Sequence, residues 1–207
     1  MSLVNYSDIS HMVYSYLGYR DLSRDEAIDK LIVECLEEID RISSFQYIYQ
    51  EYDYILDFLK KDKYLKYLGN STSYLLCATT LGAQIDKRSK YYQMKDMVKM
   101  CVFDACASAY LEYRADLYER TIRDDLSFRF CPGYQGTEVA DIRPIHEILK
   151  ADKRIGIILL DSNLMVPQKS MIGIVGIKNN AKKSCYDCFL ASKCDYLKEG
   201  LRCYREK

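Results

Sequence analysis

Residues 154–178, RIGIILLDSNLMVPQKSMIGIVGIK, constrain the fold of this chain most tightly. Ile155, Ile157 and Leu159 alternate along the sequence, and so do Ile172 and Ile174. A period of two is the signature of a strand, so the stretch predicts two strands joined by a loop around Pro167. Phe45, Tyr47 and Tyr49 alternate with Gln46 and Ile48 and predict a further strand. The apolar, β-branched run YLLCATTLG, residues 74–82, fits a buried strand or a buried helix end, and periodicity alone does not separate the two.

The rest of the chain reads as helix. Ile9, Met12, Val13, Tyr16 and Leu17 follow the i, i+3, i+4, i+7, i+8 spacing of an amphipathic helix. Ser23 and Glu26 have capping-box spacing and predict the start of a second helix, with Ile28, Leu31, Ile32, Cys35, Leu36 and Ile39 on its apolar face. Residues 57–66 read as helical and solvated. Residues 83–123 predict two helices, with Met94, Val98, Cys101, Ala105 and Ala109 marking one face. Glu112, Arg114, Asp116, Glu119 and Arg120 read as a mostly solvated run. A short helix is expected at 141–150, with Asp141 as N-cap and Pro144 in its first turn.

Charge and composition exclude several function classes. The chain has 30 basic and 30 acidic residues, so no basic patch points to nucleic acid. No apolar run approaches the roughly 20 residues of a membrane helix. The N-terminus, MSLVNYSD, shows no signal-peptide pattern, so a cytoplasmic protein is expected. The two histidines, His11 and His146, sit in predicted helices without ligand-spaced partners and read as surface or cap residues. No dinucleotide fingerprint, phosphate-binding loop or nucleophile elbow is present, so no self-sufficient catalytic set is expected.

Two constellations remain. The first is RFCPGYQG, residues 129–136. Cys131-Pro132-Gly133-Tyr134 suits a type II turn, with proline fixing φ and glycine supplying the positive φ. It reads either as a turn closing a strand or as a ligand site. In the second case Arg129 can fork onto a carboxylate, the glycine admits close backbone approach, and Tyr134 can stack on a ring or face a cation. The second constellation is Cys185-x2-Cys188-x5-Cys194-x8-Cys203. Four thiols within so short a segment suit a tetrahedral zinc or an iron–sulfur cluster, with free or oxidised thiols as the alternative.

The order and spacing of the motifs resemble the activation (reactivation) domain of cobalamin-dependent methionine synthase. That family shows R-x-x-P-G-Y, followed by G-x-x-L-T-E-S-x-x-M-x-P-x-x-S-V-S-G. Gly156, Leu159, Asp161, Ser162, Met165, Pro167, Ser170 and Gly173 match or nearly match the second pattern. ATTLGAQIDKR (78–88), DACASAYLE (104–112) and SYLGYRDLSRDE (15–26) resemble further segments of the family. The resemblance runs from about residue 8 to 178 and implies a binding role. The family's domain presents S-adenosylmethionine to a cobalamin on a neighbouring domain. One-electron reduction coupled to methyl transfer then restores methylcobalamin. Carried over by motif, Arg129 would hold the ligand's carboxylate. The backbone of Cys131, Gly133 and Tyr134 would hold the adenosine part.

The chain departs from the family at Asp161, where full-length synthases have glutamate, and at Ser108, where they have a second acid. The family's late tyrosine and its corrinoid-binding D-x-H-x-x-G are absent from this sequence. The expectation is therefore an accessory protein acting in trans on a corrinoid methyltransferase, fed by an electron donor such as flavodoxin or ferredoxin. Because activation needs an electron, the cysteine tail leans to iron–sulfur over zinc. The alternative is a docking or capping module that has lost the ligand. The expected fold is α+β, a central, mostly antiparallel sheet flanked by helices. Residues 1–178 would form the activation-like domain and residues 179–207 a metal-binding tail.

Overall fold

A computed structural model describes residues 7–19, 25–134, 136–178, 185, 191–200 and 202. The chain opens with helix α1 (Ser7–Tyr16) and helix α2 (Glu26–Ile42). Strand β1 (Gln46–Tyr52) follows, then a 3-10 turn at Asp57–Leu59 and helix α3 (Asp62–Leu68). Strand β2 (Tyr74–Thr80) leads into helix α4 (Ala83–Lys95) and the 26-residue helix α5 (Met97–Ile122). Strand β3 (Leu126–Phe130) precedes helices α6 (Ile142–Leu149) and α7 (Ala151–Ile155). The two-residue strands β4 (Ile158–Leu159) and β5 (Met165–Val166) form a hairpin ahead of strand β6 (Ser170–Ile177). A last short helix, α8, spans Asp195–Lys198.

The fold is α+β. Four strands pair antiparallel in the order β1-β2-β6-β3. One sheet face, with Leu76, Ala78, Phe130, Ile172 and Ile174, packs on α3, α6 and α7. The opposite face carries Leu75, Cys77, Val175 and Ile177, which meet Ile122 near the end of α5. Helices α1, α2, α4 and α5 add their own core around Ile9, Leu36, Phe103 and Tyr110. Because β2 is paired on both sides and covered on both faces, all seven of its residues are buried. That is why its sequence shows no alternation and fits helix or strand equally well.

Several sequence expectations change. The N-cap of α2 is Asp25, whose Oδ1 accepts the Ala27 and Ile28 N–H groups at 2.8 and 3.3 Å. Ser23 lies outside the described residues. The stripe from Met94 to Ala109 fails because it runs across a helix break. Asp96 ends α4 and caps α5, and Met94 and Val98 are 77% and 62% exposed. Cys101 is exposed too, whereas Val102, Phe103 and Cys106 are buried. Residues 57–66 are not simply solvated, since Leu59 and Tyr64 are fully buried. Ile155 closes α7 instead of opening a strand, so the sheet takes only β6 from the stretch 154–178. Asp141 precedes α6 but makes no side-chain cap. Its carboxylate instead binds Lys61 Nζ at 2.6 Å and the Tyr64 hydroxyl at 2.9 Å.

Strand β3 is irregular. Leu126 pairs with Ile177 and Arg129 with Val175, so β3 holds one residue more than β6 over the same span. This bulge turns Leu126 and Arg129, three residues apart, toward the same side of the sheet. It also takes the Gly176 N–H out of the ladder. That N–H is satisfied by the Tyr67 hydroxyl at 2.9 Å and by Ser127 Oγ at 3.1 Å. The Tyr67 hydroxyl in turn donates to the Phe128 carbonyl and lies 2.7 Å from Ser127 Oγ. Burial pushes the Tyr67 phenol well above its usual pKa, so it stays a neutral plug under the bulge. Removing that hydroxyl by Tyr67→Phe should lower stability in urea unfolding by about 1–3 kcal/mol, the cost of leaving buried polar groups short of partners. A loss below about 0.5 kcal/mol, within the range of neutral surface changes, would show that the bulge does not depend on it.

Candidate functional site

The turn at the end of β3 has the conformation its residues demand. The Tyr134 N–H meets the Cys131 carbonyl at 3.4 Å, and Gly133 has φ +93°. Thr137 braces the turn from below. Its Oγ1 accepts the Gly133 N–H at 3.0 Å and donates to the Tyr134 carbonyl at 2.8 Å. A Cβ at position 133 would lie 2.9 Å from Val139 Cγ2, so glycine is required for space as well as for φ. Gly133 and Tyr134 are exposed, Tyr134 to 68%, and Cys131 is half-buried.

Arg129 stands two residues before the turn, but its guanidinium points inward. The side chain is 6% exposed and ion-pairs with Glu119 and, at 3.1 Å, with Asp116. Tyr47 donates its hydroxyl to Glu119 at 2.9 Å. Burial works against the arginine's charge, but Glu119 and then Asp116 more than offset it, so its pKa lies above the usual value. Glu119 is therefore no member of a solvated run. It is 1% exposed and joins α5 to β3. Gly173 on β6 makes this crossing possible. A Cβ there would lie 2.9 Å from Arg129 Cγ, 3.0 Å from the Phe130 carbonyl and 3.3 Å from Cys131 Sγ. On the far side of Gly173, Cys77 Sγ meets its carbonyl at 3.4 Å. Burial, then the charge of Glu119, pushes the Cys77 thiol up to about 12, so it is no nucleophile.

A second basic group sits at the other end of α5. Lys169, just before β6, places Nζ 2.8 Å from Asp104 and 2.8 Å from Ser108 Oγ. Asp104, Ser108, Glu112, Asp116 and Glu119 follow i, i+4, i+8, i+12 and i+15 spacing, one face of α5. From Asp104 to Glu119 the helix rises about 22 Å. From Lys169 to Val175, the partner of Arg129, β6 extends about 20 Å. Helix α5 thus runs alongside β6 with its polar stripe turned toward the β6–β3 region. Between the two cationic ends lie Glu112 on the helix and the Cys131–Tyr134 turn. Tyr16, at the end of α1, donates its hydroxyl to Glu112 at 2.5 Å.

Arg129, Cys131, Gly133 and Tyr134 thus fall on one strand end and its turn, with the Arg129 side chain directed away into the helix interface. Lys169, Asp116, Glu119, Glu112 and Tyr16 join them, and sequence reasoning missed them as site residues. The signal for the acids was their four-residue spacing on a long helix. Asp161 and Ser162 occupy the exposed tip of the β4–β5 hairpin. Arg143 holds that hairpin to α6 through the Leu160 carbonyl and Asn163 Oδ1, at 3.1 and 3.0 Å. His146 Nε2 is 2.7 Å from the Ile157 carbonyl, a structural bond. Of the tail thiols, Cys185 and Cys194 are half-buried, while Cys188 and Cys203 lie outside the described residues. Among the described residues no three His, Cys, Asp or Glu side chains come together for a metal. No described helix is long and apolar enough to cross a membrane.

No family model and no curated protein matches this sequence. Among solved structures, a crystal structure of the MetH reactivation domain bound to AdoHcy matches with a TM-score of 0.55 and 16% identity. The match covers 86% of this chain and 73% of that chain. The two share a related fold.

If the Arg129 pair joins helix to sheet, Glu119→Ala should destabilise the chain by about 3–5 kcal/mol, the cost of stranding a buried charge. Equilibrium unfolding in urea would measure it. A change below about 1 kcal/mol, the scale of exposed pairs, would mean that water reaches the guanidinium freely.

Proposed function

We propose that this chain binds S-adenosylmethionine between the polar face of α5 and the Cys131–Tyr134 turn. In this role it supports the reductive methylation of cobalamin held by another polypeptide. One observation carries the reading. The Cys131–Tyr134 turn, exposed at Gly133 and Tyr134, follows directly on Arg129, whose guanidinium meets two carboxylates of α5. The related fold of a reactivation domain crystallised with AdoHcy supports it. In this role the backbone at Cys131, Gly133 and Tyr134 holds the adenosine part, and Arg129 holds the ligand's carboxylate. Arg129 carries five N–H donors, of which Nη1 serves Glu119 and Nη2 serves Asp116. Glu119 is buried, whereas the Asp116 side chain is 36% exposed. The ligand's carboxylate would therefore displace Asp116 and leave the Glu119 pair in place. The partner supplies the corrinoid, and a separate donor supplies the electron.

A specific observation favours a second reading. Arg129 is already engaged by two carboxylates, and Lys169 is seated on Asp104 and Ser108. A chain whose cationic ends are internally neutralised suits a module that docks on a corrinoid protein without a ligand. Calorimetric titration of anaerobically purified protein with S-adenosylmethionine separates the two. The activator reading expects saturable binding. It also expects Arg129→Lys, which keeps the charge beside Glu119 but loses the fork, to weaken binding by about 1.5–3 kcal/mol. Absence of binding would leave the docking module.

The same proposal gives the C-terminal cysteines a role. Cys185, Cys188, Cys194 and Cys203 would bind an iron–sulfur cluster, or zinc, and form a unit separate from residues 1–178. Their spacing supports this, as does the end of the sheet, where the Lys178 N–H closes onto the Asp125 carbonyl at 2.9 Å. Changing Cys185 and Cys188 to serine should abolish bound iron or zinc in elemental analysis while the main melting transition stays in place. Full metal retention would remove the site, and loss of that transition would put the tail inside the core.

A further inference from the structure

Three of the carboxylates on the site face of α5 are paired with cations of the protein itself. Asp104 has Lys169, and Asp116 and Glu119 share Arg129. Glu112, in the middle of the stripe, meets no cation among the described residues. Its one described hydrogen bond is to the Tyr16 hydroxyl, at 2.5 Å. Tyr134 stands at the tip of the turn. Burial, then the Cys131 thiol and the Glu112 carboxylate, raises its phenol above the usual pKa, which is consistent with a phenol close to that carboxylate. Both rings are open to solvent, Tyr16 at 49% and Tyr134 at 68%. A half-buried carboxylate that meets no cation among the described residues, and is hydrogen-bonded to one accessible phenol, favours a cationic group. An ammonium is held chiefly through hydrogen bonds from its three N–H groups. A sulfonium has no N–H or O–H to donate and is held by charge and by the negative faces of aromatic rings.

We propose that Glu112, with Tyr16 and Tyr134, forms the subsite for the positively charged sulfonium of the ligand. The site thereby distinguishes S-adenosylmethionine from its neutral demethylated product. This rests on the ligand reading above and adds to it the charge class the site selects. It also gives the bound ligand a direction, with its carboxylate end at Arg129 and its methyl-bearing sulfur at Glu112. Loss of the methyl group removes the charge that Glu112 holds, so the product leaves more readily than the substrate.

The test is calorimetric titration of the full chain with S-adenosylmethionine and, separately, with S-adenosylhomocysteine. Wild-type protein should prefer the sulfonium compound by about tenfold, the scale of a partly desolvated cation–π and carboxylate contact. Glu112→Gln, nearly isosteric at a half-buried position, should bring that ratio close to one. Tyr16→Phe, which keeps the ring and frees the carboxylate, should retain most of it. If both compounds bind and wild type does not discriminate, or Glu112→Gln discriminates as well as wild type, the subsite is overturned and the ligand reading stands. If neither compound binds, both fall.

Discussion

The buried pairing of Arg129 with Glu119 and Asp116 is the constraint that most of the site's architecture serves. It ties the last turns of α5 to the edge strand β3, beside the apolar cluster of Ile122, Leu126, Val175 and Ile177. To reach Glu119, Arg129 must share a sheet face with Leu126, and a regular strand puts residues three apart on opposite faces. The extra residue in β3 solves this, and its cost is the Gly176 N–H left outside the ladder. Tyr67 and Ser127 meet that cost from the other side of the sheet. The arginine stem then crosses β6 where Gly173 leaves no Cβ in the way. Bulge, phenol plug and glycine are thus consequences of one buried charge.

A buried ion pair is a poor source of stability, because desolvation of both ions opposes their attraction. Its persistence here is easier to understand as positioning. The pair fixes where β3 ends relative to α5, and so where the Cys131–Tyr134 turn stands against the polar stripe. Tyr47 completes the arrangement by hydrogen bonding Glu119 at 2.9 Å from β1, so three elements converge on one carboxylate. Lys169 does at the start of β6 what Arg129 does near its end. Each clamps α5 to the sheet, and Glu112 between them meets no cation among the described residues.

Much of the fold was legible in the sequence, and the failures share a cause. Local periodicity found α1 and α2, because each has one wet and one dry face. It could not decide β2, since a strand buried on both faces has no alternation to show. It placed a strand at Ile155 because alternation in a short run does not exclude a turn of helix, and α7 is only five residues long. The stripe through Met94 and Val98 looked apolar because a helix break at Asp96 is invisible to a count that assumes continuity. In the site, the turn was legible because Pro-Gly fixes its own geometry. The burial of Arg129 was not, since no local pattern says that a charged strand residue will meet a charged helix residue ten positions earlier. Glu119 looked solvated for the same reason.

This arrangement bears on how a ligand could bind at all. Both cations of the site are already satisfied, so an incoming carboxylate gains only the difference between its own hydrogen bonds and those of Asp116 that it replaces. The remainder of any affinity would fall to groups without an internal counter-charge, such as the turn backbone and Glu112.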